Sequence, residues 1–277
     1  MKLSVIIVSY NAVSYLDQCL ESIIQYKIPN IELIVWDNNS TDRSILNLKA
    51  KYPEVQFYFN EINLGFSKGN NCAVEKARGE YVLILNPDTA ILSNTFFSDI
   101  LSFADNHPEM GVAGVRMINA NGEFLPESKR NLPNVRNSIS KLFKLNFSQT
   151  KPYYATHLAE DEVGPVEVLS GACMLMRRQN YRKVGGFDER YFMYGEDIDL
   201  SYTMLQNGFQ NYYLGNLTLL HHKGESTVKD KKYLDRFYGA MALFLEKYEK
   251  PNNLILYYLA LLGVKLKHSI ALLKLKL

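Results

Sequence analysis

Apolar residues in this chain fall into short unbroken runs that alternate with stretches of helical spacing. Residues 82–85, Val-Leu-Ile-Leu, have neither a helical nor an alternating period and stop at Asn86-Pro87, as a strand buried on both faces of a parallel sheet does. Pro87 has no N–H for the ladder, so the strand ends there and Asp88 stands just beyond its carboxyl end. Residues 3–8 repeat the pattern, with Ser9, Tyr10 and Asn11 as a polar exit and Val13, Leu16, Leu20, Ile23 and Ile24 at helical spacing behind it. Residues 31–36 and 55–59 predict two more strands, the first ending on Asp37-Asn38-Asn39-Ser40-Thr41-Asp42. A helix is predicted over 68–77, entered through Asn63-Leu64-Gly65-Phe66-Ser67 and stopped by Arg78-Gly79-Glu80. Strands alternating with helices of this length predict βαβ units, hence an α/β chain with a mostly parallel sheet.

Further along, 92–103 reads as a helix, 111–117 as a strand and Asn121-Gly122 as a hairpin turn. Residues 123–165 have weak periodicity with scattered charge and aromatics, and read as a long irregular region of the kind that forms lids or acceptor platforms. Residues 166–176 form a strand interrupted by Ser170-Gly171-Ala172, where small residues mark a bulge or the close approach of a ligand. A helix running to about residue 207 opens on Glu196, Asp197 and Asp199, and Gly208 ends it. At 100° per residue Glu196 and Asp199 can face one site, whereas Asp197 and Asp199 cannot. Residues 217–220 predict another strand, ending on His221-His222-Lys223-Gly224-Glu225-Ser226-Thr227. Residues 233–248 read as an amphipathic helix. The apolar run 254–264 is too short to span a bilayer, and 265–277 interleaves Leu and Ile with lysines, as a helix lying in a membrane interface does.

With 277 residues, 47% of them hydrophobic, the chain can build a substantial core. Its net charge of +2 is unevenly spread: residues 223–277 hold 11 basic and 5 acidic residues, a net +6, against −4 for the rest. A basic tail on a mildly acidic body suggests an anionic partner, with lipid and diphosphate ahead of nucleic acid. Cys19, Cys72 and Cys173 have no metal or redox spacing and suit a reducing compartment. The first apolar run is too short for a signal peptide, so a cytoplasmic location is expected, with a peripheral place on the cytoplasmic face of the membrane as an option.

No Gly-x-Gly-x-x-Gly follows the first strand, and no phosphate-binding Gly-x-x-x-x-Gly-Lys-Ser/Thr loop occurs. Polar groups instead sit at successive strand ends: Ser9 to Asn11, Asp37, Asn86 and Asp88. Open α/β sheets bind ligands at that rim, and these groups can line a nucleotide-sized crevice. Asp37 can accept from a pyrimidine N3–H or cap the following helix. Asp88 can hold a divalent cation that neutralises a diphosphate, or it can cap a turn. His221 is a candidate metal ligand, and Lys223, Ser226 and Thr227 are candidate diphosphate donors. The three acids 196, 197 and 199 can also serve the helix dipole alone.

Seven motifs in series carry a family resemblance: Val8-Ser9-Tyr10-Asn11, residues 35–42, Asn63-Leu64-Gly65-Phe66 with Gly69-Asn70-Asn71, Leu85-Asn86-Pro87-Asp88, Gly185-Gly186-Phe187-Asp188-Glu189, residues 195–200, and His221-x-x-Gly224-x-Ser226. Together, over residues 3 to about 245, they resemble the family 2 glycosyltransferases and in particular their rhamnosyltransferase-like branch.

The resemblance implies a GT-A fold of mostly parallel sheet flanked by helices, with a C-terminal helical extension. It divides the chain into a transferase domain at 1–250, nucleotide-binding to about 120 and acceptor-binding and catalytic over 121–250, and a basic amphipathic helix at 251–277. The implied reaction is an inverting transfer of sugar from a nucleotide-diphosphate donor, dTDP-rhamnose or a UDP-sugar, to a hydroxyl of a polysaccharide or lipid-linked oligosaccharide. Asp197 would be the catalytic base and Asp37 the contact to the nucleobase. Asn86-Pro87-Asp88 would stand where the family has Asp-x-Asp, so that Asp88 and His221 hold Mg²⁺ or Mn²⁺. Asn86 departs from that pattern by one carboxylate, and His222 adjoins the matching histidine. Donor contacts are expected from Ser9, Tyr10, Asn11 and Asn63, from Gly65, Phe66 and Asn71, and from Asn86, Lys223 and Ser226. Acceptor contacts are expected from Arg130, Gly171, Ala172 and Glu196. No nucleic acid is expected as a partner, and a homodimer is left open. A metal-dependent nucleotidyltransferase and a non-catalytic nucleotide-sugar-binding protein are the alternatives.

Overall fold

Why the apolar runs of the first 85 residues show no alternation is visible at the centre of the molecule, where a sheet is covered on both faces. A computed structural model describes residues 1–133, 152–222 and 230–275. Strands β1 (Leu3–Ser9), β2 (Ile31–Asp37), β3 (Gln56–Phe59) and β4 (Tyr81–Leu85) are parallel, in the order β3-β2-β1-β4. Leu3, Val5 and Ile7 of β1 join Tyr81, Leu83 and Leu85 of β4 in the core on one face, while Ile6, Val8, Val82 and Ile84 join the core on the other. Each such fully buried aliphatic side chain contributes about 1.5–3 kcal/mol, so neither face tolerates a polar alternation.

Helices α1 (Val13–Ile24), α2 (Ile45–Lys51) and α3 (Gly65–Lys76) make the crossovers. α3 starts three residues before the predicted 68, because the Asn63 side chain accepts from the Gly65 N–H at 2.9 Å and Gly65 takes φ 80°. That glycine has no substitute: a Cβ there would lie 2.4 Å from the Phe192 carbonyl oxygen.

Beyond β4 the sheet becomes mixed. β5 (Thr89–Ile91) and α4 (Phe96–Asn106) lead to β6 (Met110–Ile118), and the expected hairpin turn at Asn121-Gly122 follows, with Gly122 at φ 80°. A short two-stranded sheet joins β7 (Lys129–Arg130) to β9 (Val168–Leu169), and β8 (Val163–Pro165) pairs with β11 (Gln210–His221). β10 (Cys173–Arg177) lies antiparallel between β4 and β6, β11 runs parallel to β6, and β5 closes the row. The interruption at 170–172 is therefore real and separates β9 from β10. β11 is longer than the predicted 217–220: Asn211, Gly215 and Asn216 interrupt its apolar run where its register against β6 shifts, between 210 and 212 and between 214 and 218, and the pairing resumes after each shift.

Helices α5 (Arg178–Lys183) and α6 (Glu196–Gln206) pack on the second half of the sheet. The chain then forms a helical hairpin of α7 (Lys231–Phe244), a π turn (Leu245–Glu249) and α8 (Leu254–Lys274). The Asp230 side chain caps α7 by accepting from the Tyr233 N–H at 2.7 Å. α8 corrects the expectation of an 11-residue apolar run: it is one unbroken helix of 21 residues, long and apolar enough by length and composition to cross a membrane.

Candidate active site

The register of the parallel strands sets the rim. Ser9 lies beside Asp37, and β4 ends two residues earlier in the register at Leu85, opposite Ile7. Asn86 to Asp88 thus sit at the same edge as Ser9 and Asp37. β11 runs in the same sense, and its last residue, His221, pairs with Thr89. Four strand ends therefore bring Ser9, Asp37, Asp88 and His221 to one side of the sheet, as their positions after apolar runs predict.

Two tight loops shape the first half of this edge. The Ser40 N–H and hydroxyl donate to the two Asp37 oxygens at 3.1 and 2.5 Å, so the buried Asp37 carboxylate closes its own turn. Asn11, at φ 52°, accepts from the Thr41 N–H at 2.8 Å, and its own N–H donates to Ser40 Oγ at 2.9 Å. These bonds tie 9–11 to 37–41. Tyr10 is exposed, while the buried Ser9 hydroxyl has no partner among the described residues. Asn38 donates to the Gly65 carbonyl at 2.8 Å and so attaches the 63–66 turn to the same edge. The Phe66 ring packs edge-on against Phe187 at 5.6 Å between centroids. Asn71 lies away from this cluster in its bonding: it receives the Tyr181 hydroxyl and the Phe187 N–H and donates to the Phe187 carbonyl at 2.9 Å, which anchors α3 to the 185–187 turn.

At the end of β4, the Thr89 hydroxyl donates to the Asn86 carbonyl at 2.7 Å and the Asn86 N–H to the Ala172 carbonyl at 3.0 Å. The two nearby thiols, Cys19 and Cys173, are buried, and burial pushes each up to about 12, so both stay protonated. His221 Nε2 stands 3.4 Å from Asp88 Oδ1, with both side chains nearly buried. Among the described residues, Asp88 Oδ1 and His221 Nδ1 have no hydrogen-bond partner. The neighbouring His222 packs at a tilt against Tyr15, 5.3 Å between ring centroids, and its backbone N–H donates to the Asp88 carbonyl. The structure thus separates the two histidines: His221 faces Asp88 and His222 packs. An unpartnered carboxylate oxygen beside an imidazole fits a divalent cation. No group of three ligating side chains occurs among the described residues, so such an ion would draw most of its coordination from phosphate oxygens and water. Lys223 and Ser226 lie outside the described residues.

The acids of α6 divide differently from the helical-wheel expectation. Tyr194 and Gly195, at φ 75° and 81°, make the sharp turn into the helix. Asp197 Oδ2 accepts from Arg130 Nη2 at 2.5 Å and from the Gly171 N–H at 3.1 Å, and Oδ1 accepts from the Ile198 N–H at 2.8 Å. Arg130, itself buried, also donates to the Leu169 carbonyl at 2.9 Å and to the Tyr153 hydroxyl at 3.3 Å. Burial opposes the Arg130 charge, but the Asp197 carboxylate and Tyr153 more than restore it. Glu196 is buried beside Asp197, and burial together with the Asp197 charge raises its pKa well above the carboxylate range. Asp199 does not share a site with Glu196. It accepts Lys247 Nζ at 2.8 and 2.9 Å and the Tyr248 hydroxyl at 2.9 Å, which fastens α6 to the π turn after α7. Lys247 and Tyr248 carry no sequence signal beyond their place in an amphipathic stretch.

Gly171 links the two halves, since a Cβ on it would meet Asp197 Cβ at 3.4 Å and the Phe66 ring at 3.7 Å. Asp197 is thereby joined to the Asn86-Pro87-Asp88 corner by two hydrogen bonds, from the Gly171 N–H to Asp197 and from the Asn86 N–H to the carbonyl of the adjacent Ala172. Residues 4–185 match the family model described as glycosyl transferase family 2. The chain belongs to that family. Relatives of this family 2 glycosyltransferase include an N-acetylglucosaminyl-diphospho-decaprenol L-rhamnosyltransferase of Mycobacterium tuberculosis, 29% identical over 82% of this chain and 78% of that protein. They also include the poly(ribitol-phosphate) β-N-acetylglucosaminyltransferase TarS of Staphylococcus aureus, 26% identical over 86% of this chain but only 44% of that protein. Among solved structures, residues 1–349 of S. aureus TarS with UDP-GlcNAc superpose with a TM-score of 0.60 at 23% identity, covering 88% of this chain and 66% of that one. GalNAc-T7 with UDP, GalNAc and Mn²⁺ gives 0.66 at 16% identity over 90% of this chain and 49% of that one. The fold is GT-A, as the motifs imply.

Proposed function

We propose that this family 2 glycosyltransferase moves a sugar from dTDP-rhamnose or a UDP-sugar to a hydroxyl of a saccharide or lipid-linked saccharide, with inversion at the anomeric carbon. The observation that carries the reading is the short bonded path from Asp88 to Asp197, which supports taking Asp88 as the phosphate-side and Asp197 as the base-side carboxylate of one rim. Residues up to about 120 supply the donor side and 121–250 the acceptor side. The rhamnosyltransferase among the relatives acts on a diphospho-lipid sugar by its name, which suits a lipid-linked acceptor here. A nucleotide-sugar donor and a lipid-linked acceptor together support a place on the cytoplasmic face of the membrane.

In this mechanism Asp197 takes the proton of the acceptor hydroxyl as its oxygen attacks the anomeric carbon from the side opposite the departing diphosphate. Arg130 and the Gly171 N–H fix one carboxylate oxygen, which leaves the other, held only by its neighbour's N–H, facing the acceptor. Asp37 and the 9–11 loop bind the nucleobase end of the donor, and Gly171 and Ala172 let the sugar approach the backbone. Asp88 and His221 would hold Mg²⁺ or Mn²⁺, which when bound supplies positive charge to the leaving diphosphate.

Asp197→Asn tests the assignment. The expected result is loss of transfer by about 10³-fold or more with nucleotide affinity, read by calorimetry, within twofold of the parent, since the side chain keeps its size and loses its basicity. Parallel loss of transfer and of nucleotide binding would remove Asp197 from the role of base.

A further inference from the structure

Ile255, Leu259, Leu262, Leu266, Ile270 and Leu273 of α8 are between 41 and 75% exposed. Their spacings of four, three, four, four and three residues keep them within a sector of about 80° on a straight helix. The opposite side of α8 is the packed one: Tyr257 and Ala260 are buried with Leu245 of the π turn, and Leu256, Leu261 and Val264 pack around them. His268 on the same side stacks on Tyr238 of α7 at 5.0 Å. At 100° per residue, Lys265 flanks the exposed stripe on one side and Lys267 and Lys274 on the other. Residues 251–277 contain no Asp or Glu.

We propose that α8 lies in the plane of an anionic lipid bilayer, with this stripe in the acyl boundary and the flanking lysines at the headgroups. Apolar side chains on one face and cations along its edges are the two features that such a helix uses, and both are present. Crossing the bilayer suits α8 less well. It would carry Lys265 and Lys267 into the hydrocarbon and strip Tyr257 and Ala260 of their packing on the hairpin. A second copy suits it less well too. Two helices bearing lysines and no acids repel, and the seven-residue repeat through Leu259, Leu262 and Leu266 would next place Ser269 in the seam. The hairpin is not a loose appendage. Lys247 of the π turn is bonded to Asp199, two residues from Asp197, and Arg236 of α7 sits 3.8 Å over the Phe192 ring in the loop that leads to α6. A bilayer under α8 therefore fixes the position of the site relative to the lipid surface.

The test uses the full chain and vesicles of phosphatidylcholine, with or without about one third phosphatidylglycerol, read by flotation, and it needs no sugar transfer, so it fails or succeeds apart from the proposed function. The parent chain is expected to float with the anionic vesicles and to leave them in high salt. Leu262→Glu with Leu266→Glu alters only exposed positions and should cut the bound fraction about tenfold, with melting temperature unchanged. Lys265→Gln, Lys267→Gln and Lys274→Gln together should weaken binding to anionic vesicles alone. A parent chain that does not float with anionic vesicles, or a Leu262→Glu/Leu266→Glu variant that floats as well as the parent, overturns the proposal. So does a parent dimer in solution that this variant dissociates, which would give the stripe to a second copy. Retention of the parent in vesicles at pH 11 carbonate would show a spanning helix and overturn the in-plane placement.

Discussion

Asp197 accepts three hydrogen bonds on its two oxygens, and an ionised carboxylate offers about four lone-pair sites, so in the proposed mechanism the one position left on Oδ1 receives the acceptor hydroxyl. Arg130 controls where that position points. Its planar fork reaches Asp197, the Leu169 carbonyl and Tyr153 at once, which a lysine cannot do. Arg130→Lys should therefore lower kcat by about 100-fold, the scale of a misplacement near 1 Å, with nucleotide affinity kept. A fall confined to acceptor KM would instead make Arg130 an acceptor contact, the role expected from sequence. Glu196 makes a pH-dependent prediction. Its pKa is raised by burial and by Asp197 to about 8, against 4.5 when unfolded, so between those values the folded chain holds a proton that the unfolded chain has released. Stability must then fall as pH rises from 4.5 to about 8, and Glu196→Gln should remove that slope and melt higher than the parent at pH 8. Equal slopes in the two proteins would mean that Glu196 ionises normally in the fold. The places of Asp88 and His221 at strand ends and of Asp197 at a helix start were legible in the sequence, because each follows an apolar run or opens a helical pattern. The partner of Asp197 was not legible as such, since Arg130 lies 67 positions away and no local spacing records the pairing.

Among elements, the parallel half of the sheet was readable because burial on both faces leaves an unbroken apolar run, whereas the insertion of β10 between β4 and β6 leaves no local trace. The attachment of the helical hairpin was equally hidden: it rests on polar bonds that an amphipathic pattern does not encode. Asp199 is 2% exposed in its side chain and is paired with Lys247, which also reaches Asp188 at 3.1 Å. Arg190 and Lys247 outweigh the effect of burial and hold the Asp188 carboxyl well below the usual range. Breaking such a pair leaves a buried charge alone, so Lys247→Met should cost about 3 kcal/mol, and more than Lys247→Met combined with Asp199→Asn. Chemical denaturation of the two variants measures the difference. If the single variant is no less stable than the double, the pair is not what fastens the hairpin to α6.

For the molecule as a whole, the rim has two weak halves that complete one another. Asp37 and the 9–11 loop can hold a base but offer little to a diphosphate, and Asp88 with His221 gives a cation two donors rather than three. Metal and nucleotide are therefore expected to bind cooperatively, each raising the affinity of the other by the same factor. In a thermal-shift panel of dTDP, UDP, GDP and CDP with and without Mn²⁺, the metal alone should do little. The right nucleotide with metal, at about 100 times its Kd, should add about 2.7 kcal/mol. At about 2–4 °C per kcal/mol for a chain of this size, that is a shift of about 5–10 °C. Asp88→Ala should abolish the gain that Mn²⁺ adds while keeping whatever the nucleotide gives alone, and EDTA should stop transfer by the parent. A nucleotide shift indifferent to Mn²⁺ and to Asp88→Ala, together with full activity in chelator, would strip Asp88 and His221 of the metal. The diphosphate charge would then fall to residues elsewhere on the rim, and the base preferred in the panel would still identify the donor.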